Sequence, residues 1–84
     1  MERQTLCTGK GTIYAMIDKY EGLRFGVRFY FHATDQADAE RKATAWNRYH
    51  GYCDSPGWGW HIPVPATDTA EATVRDEWIP RHAR

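Results

Sequence analysis

The chain has 84 residues, enough for one domain and few enough that its core must be dense in large side chains. Four Trp, five Tyr and three Phe supply them, which argues against disorder despite a mean hydropathy of −0.74. Eleven basic and eleven acidic residues cancel, so the chain has neither the cationic excess behind general nucleic-acid affinity nor the acidic excess of a DNA mimic.

The opening MERQTLCTGKGTIY has no apolar stretch long enough for a signal peptide, and no apolar run reaches the length of a membrane span. A cytoplasmic location is expected. Cys7 and Cys53 make no disulfide framework, and a reducing compartment would keep both as thiols. Residues 1–10 are polar and aperiodic and read as a flexible lead-in to a single domain spanning 1–84.

From Thr12 to Asp18, Ile13, Ala15 and Ile17 alternate with Tyr14 and Met16, which predicts a strand. Gly22 supplies a turn. Phe25, Val27, Phe29 and Phe31 then alternate with Gly26, Arg28, Tyr30 and His32, the clearest period-two pattern in the chain, so the two segments read as an antiparallel hairpin. At Ala33 the period changes to that of a helix. Asp35 is placed as N-cap, with Asp38 in the first turn, where the helix dipole favours negative charge. Ala39, Ala43 and Trp46 share one face, and Gly51 stops the helix.

Ser55, Pro56 and Gly57 signal a turn, after which Trp58, Trp60, Ile62 and Val64 alternate with Gly59, His61 and Pro63 as a third strand. Pro63 and Pro65 deny donors to a ladder, so the far end of this strand belongs at an edge. The expected packing turns Trp58 and Trp60 toward the helix and Gly59 and His61 away from it. Residues 66–79 support a helix and a strand equally: Asp68 and Glu71 resemble a capping pair, while ATVRDEWI is rich in strand formers. The fold class that follows is α+β, an antiparallel sheet of three to four strands on one main helix, with room for a short C-terminal helix.

Several chemistries can be set against these elements. Cys7, His50, Cys53 and His61 could donate to zinc, but only His50 and Cys53 have ligand-pair spacing, whereas a strong zinc signal has two close pairs. No metal or cofactor is expected. Cys53 near His50 or His61 could form a thiolate pair, yet no catalytic signature surrounds it, and no enzyme is expected. The GKGT of residues 9–12 lacks P-loop spacing and precedes a strand rather than a helix. The open sheet face is the informative constellation. With Ile13, Ile17, Phe25, Val27, Phe29 and Phe31 toward the helix, the far face would carry Tyr14, Met16, Arg28, Tyr30 and His32. Tyr14, Arg28, Tyr30, His32 and His61 are the candidate partner-binding residues, because aromatics and Arg dominate recognition surfaces.

The order of hairpin, capped helix (ATDQADAERKATAW) and returning strand (WGWHIPV), over residues 12–64, resembles that of some phage-encoded anti-CRISPR proteins. The resemblance is one of organisation and size and carries no site residue. It implies occlusion of a protein or ribonucleoprotein complex in the host bacterial cytoplasm. The expected function is thus a non-catalytic protein-binding module, a small inhibitor or regulator. The alternative is a single-stranded nucleic-acid binder stacking bases on Tyr14 and Tyr30. Zero net charge weighs against direct nucleic-acid binding, no membrane partner is expected, and the open face leaves homodimerisation as another use.

Overall fold

In the computed structural model, residues 11–54, 59–67 and 72–84 are described. Three strands, β1 (Thr12–Asp18), β2 (Phe29–Ala33) and β3 (His61–Pro65), form one antiparallel sheet in the order β2-β1-β3. One helix, α1 (Gln36–Tyr49), packs on a single face of it. This is the expected α+β architecture, with a three-stranded sheet.

Local chemistry accounts for the element ends. Gly11 has φ +98, and a Cβ there would meet the Ala33 carbonyl oxygen at 2.5 Å, so only glycine lets β1 start this close to the end of β2. Asp35 caps α1 by accepting the Asp38 N–H at 2.8 Å, and Asp38 reaches back to accept the Thr34 N–H at 3.0 Å. That amide first, then the Arg41 guanidinium, pulls the Asp38 carboxyl down to about 2. At the other end Gly51 adopts φ +78, the Tyr52 N–H donates to the Asn47 carbonyl, and the Gly51 N–H donates to that of Arg48. This paired closure is a Schellman motif.

The phase of the strands departs from expectation. Tyr14 pairs with Phe31 and Met16 with Phe29, so Tyr14 and Met16 join the phenylalanines against α1. Ile13, Ala15 and Ile17 take the opposite face, where Ile17 faces Ile62 and Ala15 faces Val64. Every residue from Ile13 to Ile17 is apolar, so alternation alone does not choose a face for β1. Once Met16 points inward, its partner Pro63 does too, and with Pro63 goes His61. His61 is therefore buried beneath α1, not on the open side, while Trp60 is half-buried just ahead of the strand; Trp58 lies outside the described residues.

Phe25 is also displaced. The strand expected from Phe25 begins at Phe29, and Leu23–Phe25 form a 3-10 turn with Phe25 71% exposed. Gly22 and Gly26 flank this turn at φ +58 and +82, breaking the extended run. Asp18 fixes the tip, its carboxylate accepting the Tyr20 and Glu21 N–H groups at 2.8 and 2.9 Å. The Glu21 amide chiefly holds that carboxyl below its usual range.

After β3 the chain returns along the free edge of β2. Val74 bridges Tyr30 in parallel, the Arg75 N–H donates to the Tyr30 carbonyl at 2.7 Å, and Asp76 accepts both the N–H and the Nδ1 of His32 at 2.7 Å. Two 3-10 turns follow, Asp76–Trp78 and Arg81–Ala83, in place of the helix or strand weighed for 66–79; residues 68–71, with Asp68 and Glu71, lie outside the described residues. Ile79 and Ala83 from this segment are 1% and 3% exposed and complete the core.

Asn47 joins α1 to the sheet. Its side chain is wholly buried, accepts the His61 N–H at 2.7 Å, and donates to the carbonyls of His61 and Ala43 at 2.8 Å each. The amide thus occupies the place of a further strand at the edge of β3. Asn47→Ala leaves the two His61 backbone groups without partners, and we expect it to cost about 2–4 kcal/mol in urea denaturation. Asp35→Ala, which loses one exposed cap, is expected to cost about 1 kcal/mol. Equal midpoints for Asn47→Ala and the parent would show that the clamp does not hold β3.

Candidate functional site

Because α1 runs antiparallel to β2, its last turn lies over the beginning of that strand, where the Trp46 ring sits 5.5 Å from Phe29. Trp46 is the hub of an aromatic group. His50 lies 4.5 Å from it, His61 5.0 Å and Tyr52 5.9 Å, and the Tyr52 ring is close to parallel with both imidazoles. Gly59, at φ +78, is required by this arrangement, since a Cβ there would meet the Tyr52 ring at 2.6 Å. Gly59 therefore packs on Tyr52 rather than facing the open side. The His61 Nδ1–H donates to the Gly59 carbonyl at 2.6 Å. Burial, the largest influence, pushes its pKa below the usual imidazole value.

The large apolar side chains left exposed gather at the same end of the molecule. Tyr20, Leu23 and Phe25 stand on the turn between β1 and β2, and Tyr49 closes α1 above it. Trp78 packs against Phe29, the first residue of β2, with ring centres 5.2 Å apart and the planes tilted by 60°. Lys19 reaches across to Asp54 at 2.6 Å, tying the hairpin tip to the loop after α1.

Between the last turn of α1 and the C-terminal segment lies a cleft of about 900 Å³. Trp46 and Ile79, both almost fully buried, form its floor, and the exposed rings of Tyr49 and Trp78 stand on its walls. Arg28, Arg81 and Arg84 line it, with Glu77 as its one acidic side chain among the described residues. The Arg28 guanidinium lies 5.8 Å from the Trp46 ring centre, a cation–π distance. Arg84 is pinned by its own segment, donating to the Ile79 and Glu77 carbonyls at 2.7 Å.

The charges sort themselves by place. Lys19, Arg24, Arg41, Lys42 and Arg75 each have a carboxylate partner, Arg75 holding Glu77 at 3.7 Å. Among the described residues Arg28, Arg48, Arg81 and Arg84 have none, and all but Arg48 line the cleft. A smaller hollow of about 460 Å³ beside His32 is different in kind, since its Asp38, Arg41, Lys42 and Asp76 are engaged with one another or with His32.

The structure does not bring Tyr14, Arg28, Tyr30, His32 and His61 onto one surface. Tyr14 and His61 are buried on the helix side, at 5% and 7% exposure; Tyr30 and His32 are half-buried on the other face; Arg28 is exposed ahead of β2 and turns to Trp46. Tyr49, Trp78, Arg81 and His82 were not singled out from sequence. For Trp78, Arg81 and His82 the signal is the interleaving of Trp, Pro and Arg in DEWIPRHAR, a stretch whose helical and extended patterns overlap. Among the described residues no three His, Cys, Asp or Glu side chains converge as metal ligands, Cys53 is exposed, and Cys7 lies outside them. No helix among them is long and apolar enough to cross a membrane.

No protein-family model, curated protein or solved structure matches the chain.

His61 gives a pH test of this packing. A histidine whose folded pKa lies below its unfolded value binds its proton more readily when unfolded. Stability is therefore complete above the ordinary value of 6.5 and falls as the pH drops from there toward the folded pKa. Between about pH 7 and about pH 5, His61→Phe is expected to show a flatter fall in urea midpoint than the parent. Parallel pH profiles would show that His61 is not the group responsible.

Proposed function

We propose that the protein is a non-catalytic protein-binding module whose contact surface is the aromatic end of the domain. The observation that carries this reading is that Leu23 and Phe25 on the hairpin turn, and Tyr49 and Trp78 on the walls of the cleft, are all exposed. Exposed apolar side chains scattered singly need no explanation, but a cluster rimmed by Arg favours partner recognition. The hairpin tip is held by the Asp18 carboxylate, so its apolar groups are presented without a large ordering cost. The histidine partners favour the same reading, since the His32–Asp76 pair docks the C-terminal segment and the His61–Gly59 contact supports the ring stack. The resemblance in organisation to anti-CRISPR proteins makes a bacterial protein or ribonucleoprotein complex the partner we would try first, with occlusion of its surface as the effect.

The test is affinity capture from nuclease-treated bacterial lysate with the parent, a Leu23→Asp/Phe25→Asp variant and a Tyr30→Ala variant. A protein captured by the parent and by Tyr30→Ala, and lost by the tip variant at unchanged melting temperature, is the expected result. Loss with Tyr30→Ala alone would return the working surface to the sheet face. Capture abolished by nuclease would favour the nucleic-acid alternative.

A further inference from the structure

We infer that the cleft between α1 and the C-terminal segment receives an acidic stretch of a partner chain, an apolar side chain lying against Trp78 and Tyr49 while neighbouring carboxylates reach Arg28 and Arg81. This rests on the protein-binding reading and specifies what its cleft recognises. Two properties of the cleft, held by different residues, carry it.

The first is charge. The chain is neutral overall, and the described cations away from the cleft, Arg48 apart, are matched by carboxylates. The cleft breaks that pattern. Among the described residues its one acidic side chain, Glu77, lies 3.7 Å from Arg75, which does not line it, and neither Arg28 nor Arg81 has an acidic side chain within ion-pair distance. An anionic occupant supplies the missing partners, and a guanidinium matches a carboxylate in a two-pronged geometry. The Arg28 guanidinium, 5.8 Å over the Trp46 ring, has donors to offer for that purpose.

The second is shape and surface. Tyr49, Trp78, Ile79 and Pro80 from two different elements make the cleft concave and apolar between its arginines. At about 900 Å³ it is large enough for several side chains of a peptide. A polyphosphate strand calls instead for a cationic track along the surface with bases stacked in succession. Here Arg84 already spends two donors on its own backbone, leaving two freely presented guanidinium groups. Two forks flanking an apolar seat fit a side chain bracketed by carboxylates better than a run of phosphates.

The experiment measures fluorescence anisotropy of the full chain with labelled Glu-Asp-Glu-Phe-Glu-Asp-Glu, the isosteric Gln-Asn-Gln-Phe-Gln-Asn-Gln, and an oligothymidylate of about eight nucleotides. The acidic peptide is expected to bind about tenfold or more tightly than the neutral one. Arg28→Gln/Arg81→Gln should abolish that preference, and Trp78→Ala should weaken both peptides alike. Should Arg28→Gln perturb melting through its contact with Trp46, Arg81→Gln alone provides the charge test, with a loss of several-fold expected. Absence of acidic-peptide binding up to about 1 mM, or equal binding of the two peptides, overturns the inference. Tighter binding of the oligothymidylate overturns it in favour of phosphate recognition. If those results accompany lysate capture that still depends on Leu23 and Phe25, the protein-binding reading survives and only the acidic occupant is lost.

Discussion

A single buried amide ties the two layers of this small domain together. Asn47 projects from α1 into the core and satisfies both backbone groups of His61, an edge residue with no further strand beside it among the described residues. An amide so placed is stabilising only when every one of its polar atoms is matched, and here a third hydrogen bond to Ala43 completes the set. Apolar contacts would tolerate α1 sliding along the sheet, whereas three directional bonds do not. That register places Trp46 over Phe29, brings His61 against Trp46, and leaves Tyr49 and His50 projecting beyond the start of β2. The cleft inherits its inner wall from this alignment.

The parts legible in the sequence are those decided by nearby residues. Thr12–Asp18 reads as a strand and folds as one, and the Asp35 cap and the Gly51 stop bound α1 as expected, because capping and left-handed closure are local events. What escaped was decided at a distance. The face of β1 was ambiguous because both sides of it are apolar, and it was settled by pairing with Phe29 and Phe31. The face of His61 followed from that choice through Met16 and Pro63. Phe25 reads as the first beat of an alternating strand, but positive φ at Gly22 and Gly26 and the grip of Asp18 turn it outward.

The candidate site was the least legible part. Arg28 is among the candidates, yet with the wrong companions, since its neighbours in space come from the end of α1 and from a segment some fifty positions later in the chain. No periodicity spans such an interval. The zero net charge also concealed the site, because it averages paired cations elsewhere with unpaired ones lining the cleft. Neutrality of a whole chain says how it behaves in bulk and little about any one patch.

The docking of the C-terminal segment joins recognition to folding. Ile79 and Ala83 fill the core from one side of a turn whose other side, with Trp78 and Arg81, walls the cleft. The segment therefore cannot leave the site without uncovering Phe29 and Trp46. Opening of the cleft becomes a sub-global unfolding event rather than a loop motion, and its free-energy cost is drawn from the same contacts that keep the molecule folded. An occupant bridging α1 and this segment would act as a cross-brace, raising the melting temperature by mass action while reducing local amide exchange at the β2 edge, at the Arg75 and His32 N–H groups.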